Sequence, residues 1–82
     1  MSARQPRFEI CRGDDYDAQP WWARFRAANG RVVWVTENYA RRAGATGAVA
    51  AIAGGVPTAL KSGVTAVFHQ GRYVEVREVD ER

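Results

Sequence analysis

Nucleophilic catalysis needs a thiol or hydroxyl within hydrogen-bond reach of a base, and a third group that orients the base. This chain offers one cysteine, Cys11, and one histidine, His69. Local patterns put the two on different strands, and nothing in their spacing brings them together. Cys11 follows Phe8 and Ile10 in a strand-like alternation and reads as a small apolar filler. His69 sits beside a hairpin turn, where a hydrogen-bonded or solvated imidazole is the ordinary case. No catalytic residue is assigned, and the chain reads as a non-enzyme. Asp14, Asp15 and Asp17 bring oxygen ligands close in sequence, but the further ligands and the closing glutamate of a calcium loop are missing. They read as a solvated loop. No metal and no cofactor is expected.

Trp22, Arg24 and Arg26 offer a different chemistry. A spacing of two places all three on one side of a strand. Tryptophan and arginine dominate the energetics of protein interfaces. The same pair can also hold single-stranded nucleic acid, with bases stacked on the indole and phosphates on the guanidinium groups. Val33 and Val35 join this face from the next strand. A solvated sheet face is normally polar, so valines and a tryptophan alternating with arginines imply a cover. Three covers compete: another sheet (the chain's own C-terminal hairpin or a partner's strands), a protein partner, or nucleic acid. Arg41 and Arg42, near a helix start, would be further phosphate contacts in the last case.

The elements that carry these residues follow from periodicity. Residues 8–12 (FEICR) alternate as a half-buried strand. Residues 13–20, with Gly, three Asp and Pro, form a loop. Residues 21–28 and 31–37 are strands around Asn29-Gly30, a pair suited to a two-residue type I′ turn. That turn sets Phe25 opposite Trp34, Arg24 opposite Val35 and Arg26 opposite Val33. Residues 39–53 read as a helix with an Ala45, Val49, Ile52, Val56 stripe, Asn38 as N-cap and Gly54-Gly55 as the stop. Gly44 and Gly47 inside it imply a close approach to the sheet. Residues 64–70 and 72–79 form a second hairpin around Gly71.

Eighty-two residues make one domain. Residues 8–79 are expected to fold, between polar tails at 1–7 and 80–82. Apolar residues at 46% and charged residues at 26% describe a globular chain. Residues 1–6 lack the apolar run of a signal peptide, and residues 43–60 are too polar and too short to span a membrane. A cytoplasmic location with no membrane partner is therefore expected. Eleven of the twelve basic residues are arginine, and the net charge is +3. Such a balance permits nucleic-acid binding without requiring it. A chain this short gains most by associating with a second copy.

Phe8 and Ile10, Phe25 with the Ala28-Asn29-Gly30 turn, Glu37 and Tyr39, and Ala45, Val49 and Ile52 together resemble the YegP-like family of short bacterial domains. The resemblance covers residues 8–53. It implies three antiparallel strands and one helix per repeat, with a homodimer supplying the second copy where only one repeat is present. It brings no catalytic residues, and the hairpin at 64–79 departs from its pattern. The expected fold is α+β: an antiparallel sheet of β-β-β-α plus a C-terminal hairpin, with the helix on one face. The expected function is a non-catalytic interaction or structural module that forms a homodimer and binds a protein partner. The alternative is nucleic-acid binding through the Trp/Arg face.

Overall fold

A computed structural model describes residues 5–82. Residues 1–4, where most of the expected N-terminal tail falls, lie outside the described residues. The strands are β1 (Arg7–Arg12), β2 (Trp21–Arg26), β3 (Val32–Val35), β4 (Thr58–Ala59), β5 (Thr65–His69) and β6 (Arg72–Asp80), with one helix, α1 (Arg42–Ala53), between β3 and β4. They form one six-stranded sheet in the order β3-β2-β1-β6-β5-β4. The domain is thus α+β with the helix on one face, as the alternation and helical stripe imply. The sheet is mixed, because β6 runs parallel to β1 while the other pairs are antiparallel. After β3, at one edge, α1 carries the chain across the sheet to β4 at the other edge. The returning hairpin then lays β6 along the free side of β1. The expected C-terminal tail is tied in, since β6 runs through Asp80 and the Glu81 N–H donates to the Arg12 carbonyl at 2.8 Å.

Phe8, Ile10, Ala23, Val67, Val74 and Val76 point to the helix side and close over Ala45 and Val49. Burial of each large side chain contributes about 1.5–3 kcal/mol, and this layer is the main apolar core of the domain. Phe25 and Trp34 pack at its margin with ring centroids 6.0 Å apart. Only the first half of the expected helical stripe is buried, because Ile52 and Val56 are exposed.

Two local expectations are corrected. The helix begins three residues late: Tyr39 forms an isolated bridge to Trp21, and Arg41 takes the N-cap position without a side-chain cap. Asn38 instead donates its side-chain amide to the Gln19 carbonyl at 3.1 Å. Pairing Tyr39 with β2 satisfies its N–H and C=O in the sheet, so they are unavailable to a helix. The β2–β3 turn is the second correction. The Gly30 N–H bonds to the Ala27 carbonyl and the Ala27 N–H to the Arg31 carbonyl, each at 2.9 Å, and Gly30 alone takes a positive φ of 87°. That is a three-residue loop closed by a glycine bulge rather than a type I′ turn. Arg26 therefore pairs with Val32 and not Val33. A second irregularity between Phe25 and Arg26 restores the expected Phe25–Trp34 and Arg24–Val35 pairs. The two-residue turn with both φ angles positive lies instead at Gln70-Gly71.

Candidate functional site: the helix-free face of the sheet

Residues that alternate with the core point away from α1. They are Glu9 and Cys11 on β1, Trp22, Arg24 and Arg26 on β2, Val32 and Val35 on β3, and Tyr73, Glu75, Arg77 and Val79 on β6. Phe68 on β5 shares this side through its pairing with Tyr73. The C-terminal hairpin extends the sheet sideways and does not cover this face, which removes one of the covers expected from the sequence.

The centre of the face is a charge network that sequence reasoning missed. Glu9 is 2% exposed, one side-chain layer beneath the surface. Its Oε1 accepts from Arg24 Nε at 2.6 Å and Arg26 Nε at 2.8 Å, and its Oε2 from Arg7 Nε at 2.8 Å. Arg24 also donates to Glu81 at 2.6 Å, and Arg26 to the Gly30 carbonyl at 2.7 Å. Burial alone would raise the Glu9 pKa. The hydrogen bonds from Arg24, Arg26 and Arg7 outweigh it and hold the carboxyl down at about 2. The sequence signal was available, since Glu9 alternates with Phe8 and Ile10 and therefore faces the same side as Arg24 and Arg26. Only the register of β1 on β2 shows that the three meet.

Trp22 is half-buried, directly opposite the fully buried Cys11. Its ring also leans on Gly13, where an added Cβ would lie 2.9 Å from the indole. Burial pushes the Cys11 thiol up to about 11, so it is protonated and unreactive at neutral pH. His69 lies on the other side of the sheet, with its ring edge-on to Phe8. The Asp loop is held by arginine: Asp15 accepts from Arg12 at 2.6 Å and Arg82 at 3.0 Å. The Arg82 hydrogen bond is the main reason its carboxyl titrates below the usual range. No cluster of three or more metal-ligating side chains occurs among the described residues.

The residues assigned to the interaction face do not all gather. Trp22, Arg24, Arg26 and Val35 share it. Val33, displaced by the irregularity in β3, lines a hollow with Phe25, Trp34 and His69. Arg42 bonds to Glu78 at 3.2 Å on the helix side, so it and Arg24 lie on opposite sides of the sheet. Flanking the charge network, Val32, Val35, Phe68 and Tyr73 remain 45%, 60%, 57% and 61% exposed. Phe68 and Tyr73 contact each other edge to face at 5.3 Å.

No family model, curated protein or solved structure matches the chain. No helix among the described residues is long and apolar enough to cross a membrane.

Proposed function

We propose that the chain is a non-catalytic interaction module whose helix-free sheet face docks protein, in the first place a second copy of itself in a homodimer. The observation that carries the proposal is the exposure of Val32, Val35, Phe68 and Tyr73 on a face that no element of the chain covers. Such residues around a fixed polar centre are the makings of an interface. Charge favours a second copy as the occupant. Arg7, Arg24, Arg26 and Arg77 are paired with Glu9, Glu75 and Glu81 within the chain, so the face is close to neutral and a two-fold related copy meets no strong like-charge repulsion. The resemblance to YegP-like domains, which implies a dimer for a single repeat, points the same way.

Size sets the expected strength. Five strands about 4.8 Å apart and about five residues long give roughly 400 Å² of flat outline. That is about half the standard area per partner, the range of weak and transient interfaces, so dissociation on the order of micromolar or weaker is expected. Nucleic acid is the less favoured occupant, because Arg24 and Arg26 are already committed to Glu9 and the face carries little net charge.

The test is sedimentation of the purified chain across a dilution series, with Val35→Glu alongside. A dimer that dissociates on dilution, and a folded monomer for Val35→Glu, are expected. A monomer at every concentration would refute the homodimer. Titration with mixed single-stranded RNA and DNA, read by tryptophan fluorescence, tests the other occupant. Saturable quenching that weakens steeply with salt would favour nucleic acid instead.

A further inference from the structure

On the helix side of the sheet, where α1 ends, a hollow of about 330 Å³ opens between the β2–β3 and β5–β6 hairpins. It is large enough for one small molecule. Its two sides differ in chemistry. Phe25 and Trp34 form one wall, their rings within 18° of parallel. His69, Gln70 and Arg72, from the β5–β6 turn, supply the polar groups.

Four features distinguish this hollow from an ordinary surface dimple. Arg72, like Arg31 and Arg41, has no carboxylate partner among the described residues, and of these three it is the one that lines the hollow. The register irregularity of β3 brings Val33 to the rim, and such irregularities recur beside binding sites because they re-aim side chains. Gln70 is held at a φ of 51°, in the left-handed region that glycine or asparagine normally fills in this turn. His69 is also oriented, with Nδ1 3.4 Å from the Ala53 carbonyl oxygen at the helix end. A carbonyl only accepts, so Nδ1 is the donor in that contact.

We propose that this hollow binds a planar aromatic anion no larger than a mononucleotide. The ring lies against Phe25 and Trp34, and the carboxylate or phosphate meets the Arg72 guanidinium. Aromatic side chains accept any flat π-system, so the wall selects shape. Arg72 selects charge, because its fork matches carboxylate and phosphate alike. The site lies across the sheet from the proposed dimer face, so either can fail without the other.

The experiment is a two-dimensional NMR titration of the full chain with adenosine monophosphate and, separately, with naphthalene-2-carboxylate. The first probe tests a phosphate source and the second a carboxylate source. Saturation by at least one probe with Kd below about 1 mM is expected, given the modest affinity per atom of small ligands. Shifts should concentrate at the Trp34 indole N–H, Gln70 and His69, and Arg72→Gln should weaken binding at least about ten-fold, the loss of one charge-assisted contact. Adenosine and inorganic phosphate, each holding half of the recognised chemistry, should not saturate in that range. The proposal is overturned if neither probe saturates, if a well-dispersed Arg72→Gln protein binds equally well, or if the shifts fall on Trp22 and Arg24.

Discussion

Glu9 is one carboxylate shared by three guanidinium groups, and the consequences of changing it follow from which partner is left behind. Removing the carboxylate strands Arg7 and Arg26 without a counter-charge and leaves Arg24 with Glu81 alone. Breaking a buried ion pair typically costs 3–5 kcal/mol, and these arginines keep some contact with water, so Glu9→Ala should cost about 2–3 kcal/mol in a denaturant melt. The pH dependence has a definite sign. The carboxyl's pKa is about 2 when folded and 4.5 ordinarily. A depressed folded pKa contributes stability that is fully present above the ordinary value and is lost as pH falls toward the folded one. Stability should therefore decline between about pH 4.5 and 2 in the native chain, and Glu9→Gln, already without the charge, should decline less across that window. Equal slopes would mean that Glu9 does not carry the acid sensitivity. The arginines and the glutamate were visible in the sequence; their convergence was not, because it depends on the pairing of two strands separated by the loop at residues 13–20.

At the scale of elements, the two helical glycines make a clean contrast. Both look alike in the sequence, as weak points within a helical stripe. An added Cβ at Gly44 would lie 2.8 Å from Tyr39 Cβ, Cγ and Cδ1, while at Gly47 it would meet nothing within 4 Å. Alanine gains up to about 1 kcal/mol of helix propensity at either position. Gly47→Ala should therefore stabilise by about 0.5–1 kcal/mol, whereas overpacking should make Gly44→Ala destabilising by about 1–2 kcal/mol net. Thermal melts of the two variants should move in opposite directions. The expected close approach to the sheet is thus found at neither glycine: Gly44 is crowded by the Tyr39 side chain, and Gly47 faces open space. Strand alternation and the Ala45–Val49 stripe were legible because burial enforces their periods of two and 3.6. The helix start was not, because a tertiary bridge to Trp21 claims Tyr39. The β2–β3 turn was misread for a related reason: Asn-Gly suits more than one hairpin loop, and the strand beyond it decides which one closes.

For the whole molecule the question is what a net charge of +3 is for. Among the described residues, the cations without a carboxylate partner are Arg31, Arg41, Lys61 and Arg72. They belong to four separate connections or strand ends. Polyanion binding draws on many phosphate contacts made along a stripe, and each contact adds to the salt dependence. Four single charges on separate connections do not supply such a run along one element, and the face with the exposed apolar groups is close to neutral. Association through that face should therefore respond to salt in the opposite way from nucleic-acid binding. Raising salt from about 50 to 500 mM screens the exposed charges but leaves apolar burial intact or strengthened. The dimer constant should then change by less than about ten-fold, where six phosphate contacts would lose several orders of magnitude. Two substitutions locate the surface that responds. Val35→Glu places a charge on the helix-free face and should yield monomers. Val33→Glu, one turn of the pleat away at the hollow's rim, should leave the mass unchanged. If Val33→Glu dissociates the protein and Val35→Glu does not, the copies meet along the β3 edge or across the hollow, and the helix-free face is not the interface.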